Sequence, residues 1–125
     1  MNKFQKQIRK FSEERNWNQF YDPKDILLGI VEEIGELRNI IKWVPEQEKV
    51  RKLLLENKAE VKDGIGDIYW FLALLANSCD VDIDEAIEFT IKDNKKRFPV
   101  SKTKGRHTNT RLGGHDGKYE KKRTV

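Results

Sequence analysis

The stretch Leu27–Trp43, LLGIVEEIGELRNIIKW, decides the fold. Its apolar residues recur at intervals of three and four, the spacing of a helix with a buried stripe, and nothing in it alternates as a strand would. Three carboxylates, Glu32, Glu33 and Glu36, interrupt that stripe. Glu33 and Glu36 are three apart and therefore neighbours on one helical face, where Gly29 and Ile40 continue the row. The opposite row is expected to supply the core. A second acidic set, Glu60, Asp63 and Asp67, lies at i, i+3 and i+7, just before the apolar run IYWFLALLA at 68–76.

Working outward, Phe4, Ile8 and Phe11 predict a first helix from Asn2 to Arg15, followed by the connector NWNQFYDPKD. Asp22, Pro23 and Asp25 mark the start of the second helix: an acceptor at the N-cap, proline in the first turn, and an acid where the helix dipole favours it. That helix is predicted to run to about Trp43, with Pro45 marking its end. A short charged helix or ordered loop follows to about Glu56, then a break near Asn57 and a longer helix to about Ser78. Gly64 and Gly66 each cost that helix about 1 kcal/mol relative to Ala, and close packing is their expected role. Asp82 with Glu85 resembles a capping box and opens a last helix that ends before Phe98-Pro99. The fold class is all-α: an antiparallel bundle of four main helices over residues 1–99, followed by a basic, glycine-containing tail at 100–125, extended or flexible by itself.

A chain of 125 residues can bury one core and not two. Charged residues and the hydrophobic set each make up 37% of it, a balance that fits a soluble helical protein. The one cysteine, Cys79, has no internal partner, which fits a reducing cytosol, and it is expected to be buried. No secretory or membrane-spanning segment is visible, so a cytoplasmic protein is expected. The net charge of +4 is uneven: residues 1–100 carry 17 Lys and Arg against 19 Asp and Glu, whereas 101–125 carry 8 against 2. The high pI therefore belongs to the tail, and nucleic-acid binding does not follow from it for the helical domain.

Should the two acidic helices pack side by side, four or more carboxylates meet across one groove, where ionised acids repel unless neutralised. A hard divalent cation would neutralise them. An all-oxygen donor set without His or Cys favours Mg2+, with Mn2+ as a substitute, over zinc. Magnesium commonly completes its coordination from substrate phosphates, which points to a phosphate-bearing substrate.

Three ordered blocks, ERNWNQFYDPKDILLGIVEEIGELRNIIKW, GDIYWFLALLANSCDVDIDEAI and NKKRFP, together spanning roughly residues 4–99, resemble the MazG-like all-α nucleoside triphosphate pyrophosphohydrolases, and within them the dCTP pyrophosphatase-like branch. The resemblance implies magnesium held between an E-x-x-E and an E-x-x-D on two helices, and hydrolysis of a nucleoside triphosphate to monophosphate and pyrophosphate. Glu33 and Glu36 match the first pair. Asp67 matches the acid of the second, but Gly64 stands where the family has Glu, so Asp63 or Glu60 is expected to replace it. The metal ligands implied are Glu33, Glu36, Asp63 and Asp67, with Glu32 or Glu33 orienting the attacking water. Lys92, Asn94 and Arg97 are implied at the phosphates, and Trp17, Phe20, Trp43 and Phe71 around the base. A homodimer or homotetramer is also implied.

Two other readings compete. A ferritin-like dimetal bundle needs Glu-x-x-His motifs, but His107 and His115 both lie in the tail. A non-catalytic oligomeric module that grips nucleic acid through the basic tail is the alternative function, and its binding would be strongly salt-dependent.

Overall fold

A computed structural model describes residues 1–118. Its long elements are all helical: α1 (Lys3–Glu14), α2 (Pro23–Asn39), α3 (Gln47–Glu56), α4 (Lys58–Ser78) and α5 (Ile83–Arg97), with a short α6 (Val100–Thr103) and two 3₁₀ turns, Trp17–Phe20 and Thr110–Leu112. The expected all-α class is observed, and each of the four helices read as main elements forms. None of the described helices is long and apolar enough to cross a membrane. The chain divides into a compact unit Met1–Ile83 and a second that begins at Asp84. That division falls inside the predicted helical domain and not at its end.

Local chemistry explains the boundaries. The Asn2 side chain caps α1 by accepting from the Gln5 N–H at 2.9 Å, and Asp22 caps α2 by accepting from the Lys24 N–H at 2.8 Å. Asn57 separates α3 from α4 with its backbone off helical values, and its side chain donates to the Leu53 carbonyl at 2.8 Å. The second helix ends at Asn39, four residues before the predicted stop. Ile40 and Ile41 fall back on i−3 hydrogen bonds, the tightening common at helix ends, and Trp43 takes a left-handed backbone with φ of 67°.

In the first unit, α1, α2 and α3 all pack on α4. As α2 advances from Gly29 to Leu37, its partners on α4 recede from Phe71 to Gly64, so the two helices run antiparallel. A side chain at either glycine has no room. A Cβ on Gly29 would lie 2.6 Å from the Phe71 ring, and one on Gly64 would lie 2.6 Å from Leu37 Cδ2. The packing role expected of Gly64 is met, whereas Gly66 faces open space.

The core is small: Ile8, Ile26, Ala73 and Leu74, with Tyr69, Trp70, Phe71 and Leu75 packed around them. Beside it, Gln5 is completely buried and fully paired. Its amide donates to Asn77 Oδ1 at 3.0 Å and the Val81 carbonyl at 2.8 Å, and accepts from the Ile83 N–H at 3.0 Å.

Two expectations fail here. The row of α2 opposite the glutamates does not supply the core: Leu27, Leu28, Val31 and Ile34 are exposed in the single chain, Val31 to 63%. The row with Gly29 and Glu33 turns toward α4 instead, because the two glycines let the backbones approach on that side. Cys79 is exposed and not buried, since it caps the end of α4 just after the last buried turn.

In the second unit, α5 has no buried residue. Over residues 100–118 the tail carries α6 and the second 3₁₀ turn: α6 is stapled by the Thr103 hydroxyl, which donates to the Pro99 carbonyl at 2.7 Å, and the backbone N–H of His115 donates to the His107 carbonyl at 2.8 Å. The part of the tail at 119–125 lies outside the described residues.

Candidate active site

The two acidic sets meet along the seam between α2 and α4. Gly64 and Leu37 bring the backbones close, and this register puts Glu33 within electrostatic reach of Asp67 and Asp63 and lines one groove with Glu36 and Asp63. The Glu33 carboxyl is pushed above its ordinary range, first by desolvation and then by the charges of Glu36 and Asp67, a hydrogen bond with Glu36, and the charge of Asp63. One of its oxygens, Oε2, is buried without a hydrogen-bond partner. Buried polar atoms are paired in the great majority of proteins, so an orphaned carboxylate oxygen facing three more acids is a place built for something positive.

A groove of about 140 Å3 runs along the same seam, lined by Glu36, Leu37, Ile40, Glu60, Asp63 and Gly64. It is too small for a nucleotide, since ligand sites of that kind start near 300 Å3. Several waters or a hydrated cation fit it. Both residues expected to replace the missing glutamate are therefore at the seam: Asp63 acts on Glu33 and lines the groove, and Glu60 lines it alone. A Cβ at position 64 would press on the Leu37 side chain, and the acids of α4 on the groove stand at neighbouring positions, Glu60 and Asp63.

Among the described residues, no three His, Cys, Asp or Glu side chains are already closed into a metal-binding group. The acids form a looser electrostatic cluster. Its donor set, all oxygen with one orphaned atom, fits a hard divalent cation held partly through water. Glu32 stands apart: it is exposed and is not among the acids acting on Glu33.

The predicted aromatic residues occupy different places. Phe71 packs on Gly29 beside the core, and Trp17 sits edge-on to Phe11 at 5.5 Å. Phe20 is largely exposed at the end of the 3₁₀ turn. Trp43 follows the far end of α2, and Gly29 to Asn39 alone spans about 15 Å of helix, so one chain does not bring Trp43 beside Phe71. Trp43 is 86% exposed and is held in a left-handed conformation that costs about 1–2 kcal/mol. It lines a depression of about 360 Å3 with Arg38, Lys42 and Pro45, and the Lys42 ammonium lies 5.7 Å from its ring centre. A strained, exposed aromatic beside two cations suits a flat anionic ligand. Arg38 and Lys42 were not anticipated, although their spacing of four residues next to Trp43 is a signal the sequence does carry.

In the second unit, Lys92 and Asn94 are exposed on α5, and Lys92 lines a depression with Glu85, Glu88, Phe89 and Lys95. Arg97 is half-buried. Its Nε donates to the Gly117 carbonyl at 3.1 Å, and a terminal nitrogen lies 3.9 Å from the Asp93 carboxylate.

Comparison with known proteins agrees on one family. The MazG-like family model matches residues 31–111. The chain is 33% identical over 97 residues to dCTP pyrophosphatase 1 of Bos taurus, covering 77% of this chain and 57% of that protein. It is 31% identical over 92 residues to dCTP pyrophosphatase 1 of Homo sapiens, covering 73% and 54%. The chain thus spans little more than half the length of these relatives. Among solved structures, a pyrophosphatase from Archaeoglobus fulgidus aligns with a TM-score of 0.68 and 26% identity over 74% of this chain and 85% of that one.

Proposed function

Because the chain belongs to the MazG-like family, we propose that it is a nucleoside triphosphate pyrophosphohydrolase, converting a deoxynucleoside triphosphate of the dCTP type and water to monophosphate and pyrophosphate. The observation that carries this reading is the buried, unpartnered oxygen of Glu33 facing Glu36, Asp63 and Asp67. The relatives named dCTP pyrophosphatase 1 supply the substrate class.

Glu33, Glu36, Asp63 and Asp67 would hold Mg2+, or Mn2+ in its place, with Glu60 at the edge of the groove. Bound there, the cation supplies charge neutralisation at phosphate oxygens and stabilises a pyrophosphate leaving group. Glu33 is assigned to hold the attacking water and take its proton, since its carboxyl lies at the centre of the acidic seam. Glu32, exposed and outside the cluster, is the weaker candidate for that role. Lys92, Asn94 and Arg97 are assigned to the phosphates, where charge-assisted hydrogen bonds serve best. Trp43, with Arg38 and Lys42, is assigned to the nucleotide; Trp17, Phe20 and Phe71 join it only where a second copy of the chain brings them together.

A homodimer or homotetramer completes this reading. The exposed apolar row of α2, Leu27, Val31 and Ile34, is the surface a second copy would cover. A monomeric mass by light scattering counts against it. The function is tested by incubating the protein with each deoxynucleoside triphosphate and Mg2+ and measuring pyrophosphate. Release that is fastest with dCTP, stops with EDTA and returns with Mn2+ is expected. No release from any of them overturns the reading.

A further inference from the structure

Arg97 ends α5, and the chain returns to it twenty residues later. Its Nε–H donates to the Gly117 carbonyl at 3.1 Å, and its guanidinium lies 5.1 Å from the centre of the Phe98 ring. His115 approaches the same residue: its ring Nε2 is 2.9 Å from the Arg97 carbonyl, which requires that nitrogen to carry the proton. The His115 ring also meets Phe98 edge-on at 6.3 Å. Gly117 is buried with φ of 64°, and a Cβ there would lie 2.7 Å from the Phe98 ring and 3.1 Å from Arg97 Cβ. Only glycine fits that conformation and that space.

A guanidinium offers a phosphate two forked edges: Nε with one terminal nitrogen, or the two terminal nitrogens together. The Gly117 carbonyl occupies the first, and the Asp93 carboxylate flanks the second from 3.9 Å, beyond hydrogen-bonding distance. We propose that the segment His115–Gly117 is a positioning strap, which fixes the Arg97 guanidinium against Phe98 and leaves its terminal edge as the one that receives a substrate phosphate. The strap rests on the assignment of Arg97 to the triphosphate made above. It gives a basic tail a role that needs no nucleic acid, since the strap acts through one backbone carbonyl and one ring nitrogen and not through net charge. A long, mobile side chain pinned at its inner nitrogen loses less freedom when a phosphate arrives, which is where the gain in affinity comes from.

The test is steady-state kinetics of the full chain with dCTP and Mg2+. Gly117→Ala drives the strap off Arg97, and KM is expected to rise about tenfold while kcat stays within about twofold. Loss of folded protein lowers the apparent kcat and leaves KM alone, so a merely structural effect is separated. His115→Ala is expected to raise KM in the same way, and His115→Gln, which keeps a side-chain N–H donor, to restore it. If Gly117→Ala does not fold, the His115 pair decides. An active wild-type chain whose KM is unmoved or lowered by these changes overturns the strap alone. A wild-type chain that releases no pyrophosphate overturns the hydrolase reading and the strap with it.

Discussion

Gln5 and Glu33 are polar side chains drawn against α4 from two sides, and they are treated in opposite ways. On the α1 side the Gln5 amide meets Asn77, Val81 and Ile83, so that both its oxygen and its nitrogen are paired. On the α2 side Glu33 faces like charges and keeps one oxygen unpaired. A satisfied buried amide joins elements and specifies a fold, whereas an unsatisfied buried acid costs stability and persists where it has something to bind. The same helix thus carries a fully paired seam along one side and, on the function proposed above, a chemical seam along another.

The largest effect is expected at Glu36. Glu36→Gln is expected to cut pyrophosphate release about a thousandfold while the circular-dichroism spectrum and Tm stay at wild-type values; retained turnover would remove the chemical seam. Next in size is Gln5→Leu, which strands the Ile83 N–H and the Val81 carbonyl and is expected to cost about 3 kcal/mol in denaturant unfolding, with KM unchanged. A loss of activity at full stability would show that the α1 side is not merely structural.

Glu33 sharpens the contrast through pH. Its folded pKa lies above the ordinary 4.5, so the folded chain keeps a proton that the unfolded chain gives up. Stability is then fullest below that ordinary value and falls as pH rises through the folded one. In chelator-treated buffer, Glu33→Gln is expected to match wild type in Tm at about pH 4 and to exceed it at about pH 7, with the gain shrinking when Mg2+ is added. An equal Tm at both pH values would mean that Glu33 is solvated. The smallest effect is expected at Glu32→Gln, a change of less than about twofold in pyrophosphate release. A large one would return the water-orienting role to Glu32.

The sequence made the local features legible. Asp22-Pro23, Asn57 and the Phe98-Pro99 stop act within one turn of the residues they order, so their chemistry shows in the chain itself. That Glu33 and Glu36 share one face, and Asp63 and Asp67 another, was also readable from helical spacing; that the two faces meet was implied only by the family resemblance. Which face α2 buries was not: an apolar row such as Leu27, Val31 and Ile34 looks like core whether its partner lies in the same chain or elsewhere. Gln5 gave no signal, since a buried amide is recognised only by the three groups it meets, all more than seventy residues away. The tie between Arg97 and Gly117 crosses twenty residues that have no periodicity to announce it. Trp43 was expected inside a helix, and its left-handed backbone depends on where α2 stops.

The reciprocal fit of Phe71 over Gly29 and Leu37 over Gly64 has a mechanical side. Each helix carries one notch and one tooth, set in opposite order, so a slide of one residue, about 1.5 Å, in either direction drives a side chain into a backbone. α2 and α4 are thus keyed together like a shaft and hub. Adjustment at the acids is thereby left to rotation of the carboxylates, since this fit disfavours sliding of the helices that bear them.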